Sequence, residues 1–249
     1  MKALITGAST GIGRDMARVL HKQNVRLILV ARNLQLLENL KTELDGEPEI
    51  ISLDLSTEEN CHKLYDITKD KDIDILINNA GFGAYGLSSQ VPLEKELNMI
   101  DLNIKAVHIL TKLFLNDFEA KNSGYIMNVA SVAAFLSGPL MSVYYATKAY
   151  VLRLSTALYE ELRRKKSNVH ISVLCPGPVD TEFNNRAGVS FIISGHSSKF
   201  VAEYALKKMF KNKLIVAPGP LIKLGIFLCR FVPLKLLLKI SYNLQSCKK

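Results

Sequence analysis

The chain opens Met1-Lys2-Ala3-Leu4-Ile5-Thr6-Gly7-Ala8-Ser9-Thr10-Gly11-Ile12-Gly13. Residues 1–6 read as a short buried strand, the glycines as a tight turn, and the stretch from Arg14 to about Gln23 as a helix. A strand that feeds a helix N-terminus through a glycine turn is the phosphate-binding unit of a dinucleotide fold. Glycine lets the backbone turn sharply and approach a pyrophosphate. The first N–H groups of the helix have no carbonyl to bond and carry partial positive charge. The spacing is GxxxGxG rather than the usual GxGxxG. Alone, such a turn could be purely structural, but here it opens a βαβ pattern.

Outward from that stretch, apolar β-rich runs recur at residues 25–30, 50–53, 74–78, 125–129, 169–174 and 214–217. Helical patterns separate them, with leucines at 34, 37, 40 and 44, then at 57–68, 92–98, 102–120 and 143–166. This alternation predicts the α/β class: a doubly wound parallel sheet of the Rossmann type, helices on both faces, joined by right-handed crossovers. No repeat or linker interrupts residues 1–249, so a single domain is expected. Ligands in such sheets bind beyond the C-terminal strand ends. Gly7, Arg32, Asp54, Asn79, Ser131 and Pro176 each directly follow one of the first six strands.

Tyr144 and Lys148 lie four residues apart, with Ser131 upstream. Residues at that spacing share a helix face. A lysine ammonium beside a phenol would lower its pKa from about 10 and suit Tyr144 to proton transfer. The competing reading is an ordinary exposed Tyr/Lys pair.

Taken together, Thr6-Gly7-x-x-x-Gly11-x-Gly13, Asn78-Asn79-Ala80-Gly81, Asn103, Ser131, Tyr144-x-x-x-Lys148 and Pro176-Gly177-x-x-x-Thr181 resemble the short-chain dehydrogenase/reductase family, in its order and spacing. The resemblance spans residues 6 to 181. It implies a catalytic set of Asn103, Ser131, Tyr144 and Lys148. Ser131 and Tyr144 would bond the substrate oxygen, Lys148 would hold the nicotinamide ribose, and Asn103 would support a water relay to the lysine. A plain helix-surface asparagine is the other reading of Asn103. The resemblance also implies cofactor contacts from Gly7, Ser9, Thr10, Gly11, Ile12 and Gly13 in the turn. Further contacts would come from Arg32, from Asp54 to the adenine amino group, and from the Leu55 backbone. Asn79, Ala80 and Gly81 would border the nicotinamide ribose. Tyr144, Lys148, Pro176, Gly177, Val179 and Thr181 complete the set.

In dinucleotide folds a carboxylate after the second strand binds the ribose hydroxyls and repels a 2′-phosphate. Here that position holds Ala31, and Arg32 follows it. The missing acid and the arginine fork both point to NADP(H). Thr10 is not basic, so one supplementary phosphate contact of some relatives is absent. The expected reaction is reduction of a lipophilic ketone, aldehyde or 3-oxoacyl substrate. A dinucleotide-sensing module without chemistry, or a membrane-surface scaffold on the same fold, are the alternatives. The former would be expected to lose one of Ser131, Tyr144 and Lys148.

Hydrophobic residues make up 48% and charged ones 22%, a balance that excludes a disordered chain. Cysteines at 61, 175, 229 and 247 form neither a CxxC pair nor a His/Cys cluster. Neither a metal site nor a disulfide framework is therefore expected. With a strand at the start instead of a leader peptide, a cytoplasmic location is the expectation. Residues 182–198 fall at the family's variable substrate loop, where Phe183, Phe191, Ile192 and Ile193 suit either an apolar substrate or core cover.

Residues 199–249 carry eleven Lys/Arg and one acid, Glu203, so the tail accounts for the whole chain's net charge of +9. Its apolar runs are broken by Lys223, Arg230, Lys235 and Lys239 and are too short to span a bilayer. Within it, the basic apolar segment 214–249 could pack over the substrate pocket or another subunit, lie peripherally on an anionic membrane, or attract an acidic carrier of the substrate. Nothing in the sequence resembles a nucleic-acid-binding motif. A homo-oligomer is a family expectation.

Overall fold

Leu4, Ile5 and Thr6 are buried where the sequence predicts the first strand. In a computed structural model of the protein, describing residues 1–188 and 195–246, that strand is β1 (Lys2–Thr6). Thr10 takes an extended backbone (φ −147, ψ 167), so α1 (Gly11–His21) starts on the second glycine instead of at Arg14. Next come β2 (Arg26–Ala31), α2 (Leu34–Glu43), β3 (Glu49–Ser52), α3 (Glu58–Thr68) and β4 (Ile75–Asn78). α4 (Leu93–Ile100), a π turn (Asp101–Ala106) and α5 (Val107–Ala120) lead to β5 (Gly124–Val129). A 3₁₀ turn (Val132–Phe135), the long α6 (Ser142–Arg164) and β6 (Val169–Leu174) follow. The rest comprises β7 (Val179–Asp180), α7 (Glu182–Ala187), β8 (His196–Ser197), α8 (Ser198–Met209), β9 (Ile215–Val216), α9 (Pro220–Leu228) and α10 (Leu234–Ser246).

The main sheet has seven parallel strands in the order β3-β2-β1-β4-β5-β6-β9. Side chains alternate across it. Ala3, Ile5, Leu27 and Leu29 pack with Met16 and Leu20 of α1 and Met209 of α8. Leu4, Ile28 and Leu76 pack on the other face with Leu64 of α3 and Phe114 and Phe118 of α5. The chain runs outward from β1 to one edge, then returns to β4 and runs to the other. Ligands enter such folds at this reversal.

The helices expected at 92–98 and 102–120 do not break apart. The π turn carries the chain between them and accommodates the wider spacing. It turns Asn103 inward, where no part of the residue is exposed.

A buried polar chain fixes α6 on the sheet. Asn78 Nδ2 donates to Thr111 Oγ1 (3.0 Å) and Asn128 Oδ1 (2.9 Å). Thr111 Oγ1 donates to the same Asn128 oxygen (3.2 Å), and Asn128 Nδ2 donates to Ser155 Oγ (3.0 Å). Asn128 links β4, α5 and α6 from near the C-terminal end of β5. Asn128→Ala should therefore destabilise the fold by about 2–4 kcal/mol, since it strands buried partners. Chemical denaturation would measure this; a loss below about 0.5 kcal/mol, the surface range, would contradict it.

Candidate active site

One cleft of about 270 Å³ runs across the C-terminal ends of the strands. At its floor the backbone of Gly7 is left-handed (φ 64), and a β-carbon there would stand 2.8 Å from Ala80 Cα. Thr6 and Asn79 clamp this turn. Thr6 Oγ1 accepts the backbone N–H groups of Asn79 (3.0 Å) and Ala80 (3.1 Å). The Asn79 amide donates to the Thr6 and Gly7 carbonyls at 3.1 and 3.0 Å. Asn79 lines the cleft, but its donor group is spent on the glycine turn. Ser9, Thr10, Gly11 and Ile12 continue the wall into the start of α1, with Thr181 standing over Gly11. The first turn of that helix has no side-chain cap and no acidic residue, which leaves its N–H groups free for an anion.

Gly13, expected to contact the cofactor, is not among the residues that line the cleft. It is buried against the Gly7 carbonyl and the Asn79 amide, with no room for a side chain. It brings helix and turn together.

At one end of the cleft lie Ala31, Arg32, Asp54 and Leu55. Arg32 Nη1 stands 3.6 Å from Asp54 Oδ2, with side chains 53% and 41% exposed, so the pair is solvated and weak. Asp54 Oδ1 also accepts the Ser56 N–H at 3.0 Å.

At the other end, the strand ends of β5 and β6 and the first two turns of α6 bring Ser131, Tyr144 and Lys148 together with Pro176, Gly177 and Val179. Ser131 Oγ accepts the Ala133 N–H at 3.2 Å and lies within reach of the Tyr144 phenol. Lys148 Nζ donates to the Val129 carbonyl at 2.9 Å and sits 5.9 Å from the centre of the Tyr144 ring. The space beside Gly81 separates Lys148 from Asn103: a β-carbon there would lie 3.3 Å from Nζ and 2.8 Å from Asn103 Oδ1.

Electrostatics correct one expectation. Burial pushes the Tyr144 phenol up to about 12, with the Ser131 hydrogen bond opposing. Burial likewise lowers Lys148 to about 8. Burial, not the lysine four residues away, sets the direction of the shift, so the phenol is held in its protonated form instead of titrating near neutrality.

Asn103 does not reach the cleft. Its Oδ1 accepts the Phe82 N–H (3.1 Å), while Nδ2 donates to the Phe82 carbonyl (2.9 Å) and Thr147 Oγ1 (3.1 Å). It is a buried clamp on the loop after β4, not a helix-surface residue.

Phe183, read from the sequence as a substrate-loop residue, lies 5.3 Å from Tyr144, centre to centre. Phe191, Ile192 and Ile193 lie outside the described residues. Phe82, Met141, Tyr145 and Asn184 also line the cleft and carry no motif that would reveal them. Asn184 Nδ2 bonds the Val179 carbonyl (3.3 Å), while its buried Oδ1 has no partner among the described residues.

The comparisons agree with this geometry. Residues 1–189 match the short chain dehydrogenase family model. An oxidoreductase of Staphylococcus epidermidis is 33% identical over 181 residues, covering 72% of this chain and 78% of its own. A short-chain dehydrogenase from Sphingobium yanoikuyae, solved with NADPH, superposes with a TM-score of 0.82 at 31% identity, covering 88% of each chain. A short-chain dehydrogenase/reductase from Burkholderia phymatum, solved with NAD, gives 0.83 at 25% identity over 92% of each. The glycine cradle, the parallel sheet and the extent of these matches lead to one conclusion: the chain belongs to the short-chain dehydrogenase/reductase family of oxidoreductases.

Proposed function

We propose that the protein reduces a lipophilic ketone, aldehyde or 3-oxoacyl group with NADPH. The observation that carries this reading is the grouping of Tyr144 with Ser131 and Lys148 at the far end of a cleft that also takes in the glycine turn and Arg32. The residues fit such a cofactor. The uncapped start of α1 suits its pyrophosphate, and the orphaned Asn184 Oδ1 suits an amide N–H donor such as the nicotinamide carboxamide. Bound there, the nicotinamide would supply hydride to the carbonyl carbon.

The side chains would do the rest. Ser131 and Tyr144 donate hydrogen bonds to the oxygen on which charge grows, and Tyr144 then releases its proton to it. Lys148 holds the ribose and offsets the charge left on the phenolate. Asn103 acts as a positioning residue, securing the Phe82 segment beside Lys148. A phenol held in its protonated form can give its proton to an alkoxide, the transfer that carbonyl reduction needs. Phe183, Met141 and Tyr145 suit an apolar substrate portion.

One relative was solved with NADPH and another with NAD, so family membership leaves the choice to local residues. Ala31 offers no carboxylate, and Arg32, held only by an exposed ion pair, is available for a 2′-phosphate. NADPH oxidation against a panel of lipophilic and water-soluble ketones, aldehydes and 3-oxoacyl thioesters tests the proposal. Turnover that favours the lipophilic members is expected; no turnover with any of them would refute it.

The pH dependence has a defined sign. In the protein before cofactor binds, Lys148 loses its charge as pH rises through about 8, while Tyr144 stays a phenol to about 12. The kcat/KM for NADPH should therefore be level below that pH and fall roughly tenfold per unit above it. A rise over the same range would contradict the assignment.

A further inference from the structure

The polarity of α10 is reversed. Its two buried residues are polar and face the body: Ser241 donates to the Ser137 carbonyl at 3.0 Å, and Gln245 bonds the Tyr145 hydroxyl through its side chain. The Gln245 backbone carbonyl accepts the Tyr85 hydroxyl at 3.2 Å. Its apolar stripe faces outward, with Leu236, Ile240 and Leu244 at 52%, 43% and 63% exposure. α9 buries no residue, and its Phe227 pairs edge to face at 5.1 Å with Phe231, just beyond the helix, both in the open. A helix on a water-facing surface shows the opposite arrangement. A contiguous apolar face of this kind marks an interaction surface.

Charge identifies the occupant. Residues 220–246 contain Lys223, Arg230, Lys235 and Lys239 and no acid. Lys223 bonds the Tyr204 hydroxyl. Among the described residues the other three have no ion-pair partner. A second copy seated on this face would set these cations against their own kind, without an acid to relieve them. An anionic lipid surface satisfies both features, with leucine and phenylalanine among the acyl chains and the cations at the phosphates. Among the described residues no helix is long and apolar enough to cross a membrane, so the contact lies in the plane of the interface.

We propose that the outward face of α9 and α10 seats the protein on an anionic lipid surface. The inward side of the same helices touches the cleft, through Gln245 on Tyr145 and through Ile222 against Gly177. Seating would therefore present the substrate end to carbonyl compounds dissolved in lipid. Only this delivery rests on the reductase reading; the seating does not.

The test is flotation of the full chain with vesicles of phosphatidylcholine, alone or mixed with phosphatidylglycerol, at low and high salt. Two triple variants accompany it: Arg230→Glu/Lys235→Glu/Lys239→Glu and Leu236→Gln/Ile240→Gln/Leu244→Gln. NADPH binding by fluorescence checks that each is folded. Salt-reversible binding to the anionic vesicles is expected, weakened roughly a hundredfold by charge reversal and also lost in the leucine variant. The proposal is overturned if the unmodified protein does not float with anionic vesicles at low salt, or binds neutral vesicles equally well. A concentration-dependent dimer that the leucine variant abolishes would overturn it too, in favour of a second copy. Turnover of a water-soluble ketone, measured in parallel, separates failure of seating from failure of the reductase reading.

Discussion

Tyr144→Phe should abolish carbonyl reduction while leaving NADPH affinity nearly unchanged. Loss of a positioned general acid costs roughly 10²–10⁴-fold in kcat. The ring survives the substitution, so its packing on Phe183 is kept. Tyr145→Phe is the informative control. The Tyr145 hydroxyl is engaged by Gln245 of α10, so its loss should loosen that helix and alter KM more than kcat. Near-native activity in Tyr144→Phe with loss in Tyr145→Phe would show that the acid has been assigned to the wrong tyrosine.

The next largest effect is expected in cofactor choice. Ala31→Asp combined with Arg32→Ala should turn preference from NADPH toward NADH. Removing a charge-assisted phosphate contact costs about 1.5–3 kcal/mol, roughly ten- to a hundredfold in kcat/KM. The added carboxylate repels the 2′-phosphate and offers an acceptor to the ribose hydroxyls. Ala31 pairs with Ser52 at the strand end and lines the cleft, so the new side chain has room at the rim. The ratio of kcat/KM for the two cofactors measures the change. If the unmodified protein already prefers NADH, the role given to Arg32 is wrong.

The strands, the glycine turn and the Ser131, Tyr144 and Lys148 set were legible in the sequence because each rests on local pattern. Apolar runs mark buried strands, and a spacing of four marks a helix face. What was not legible depends on partners far along the chain. The duty of Asn79 is set by Thr6, and that of Asn103 by Phe82 and Thr147. The π turn follows the second of these contacts and has no propensity signal of its own. The packing duty of Gly13, which lets helix and turn approach, depends on Asn79 and is not written in the motif. The Tyr144 pKa was read from the cation four residues away, while the opposing burial is a property of the whole site. The tail was recognisably basic and apolar. Which face turns inward was decided by Ser137, Tyr145 and Tyr85, none of them near it in sequence.

Transfer of label from NADPH deuterated at the hydride position tests the central claim most directly. With a lipophilic ketone that is turned over, the product alcohol should carry deuterium on the carbinol carbon. Both label and product should vanish in Tyr144→Phe at unchanged cofactor occupancy. An alcohol formed without deuterium, or labelled alcohol formed at an undiminished rate by Tyr144→Phe, would contradict the account.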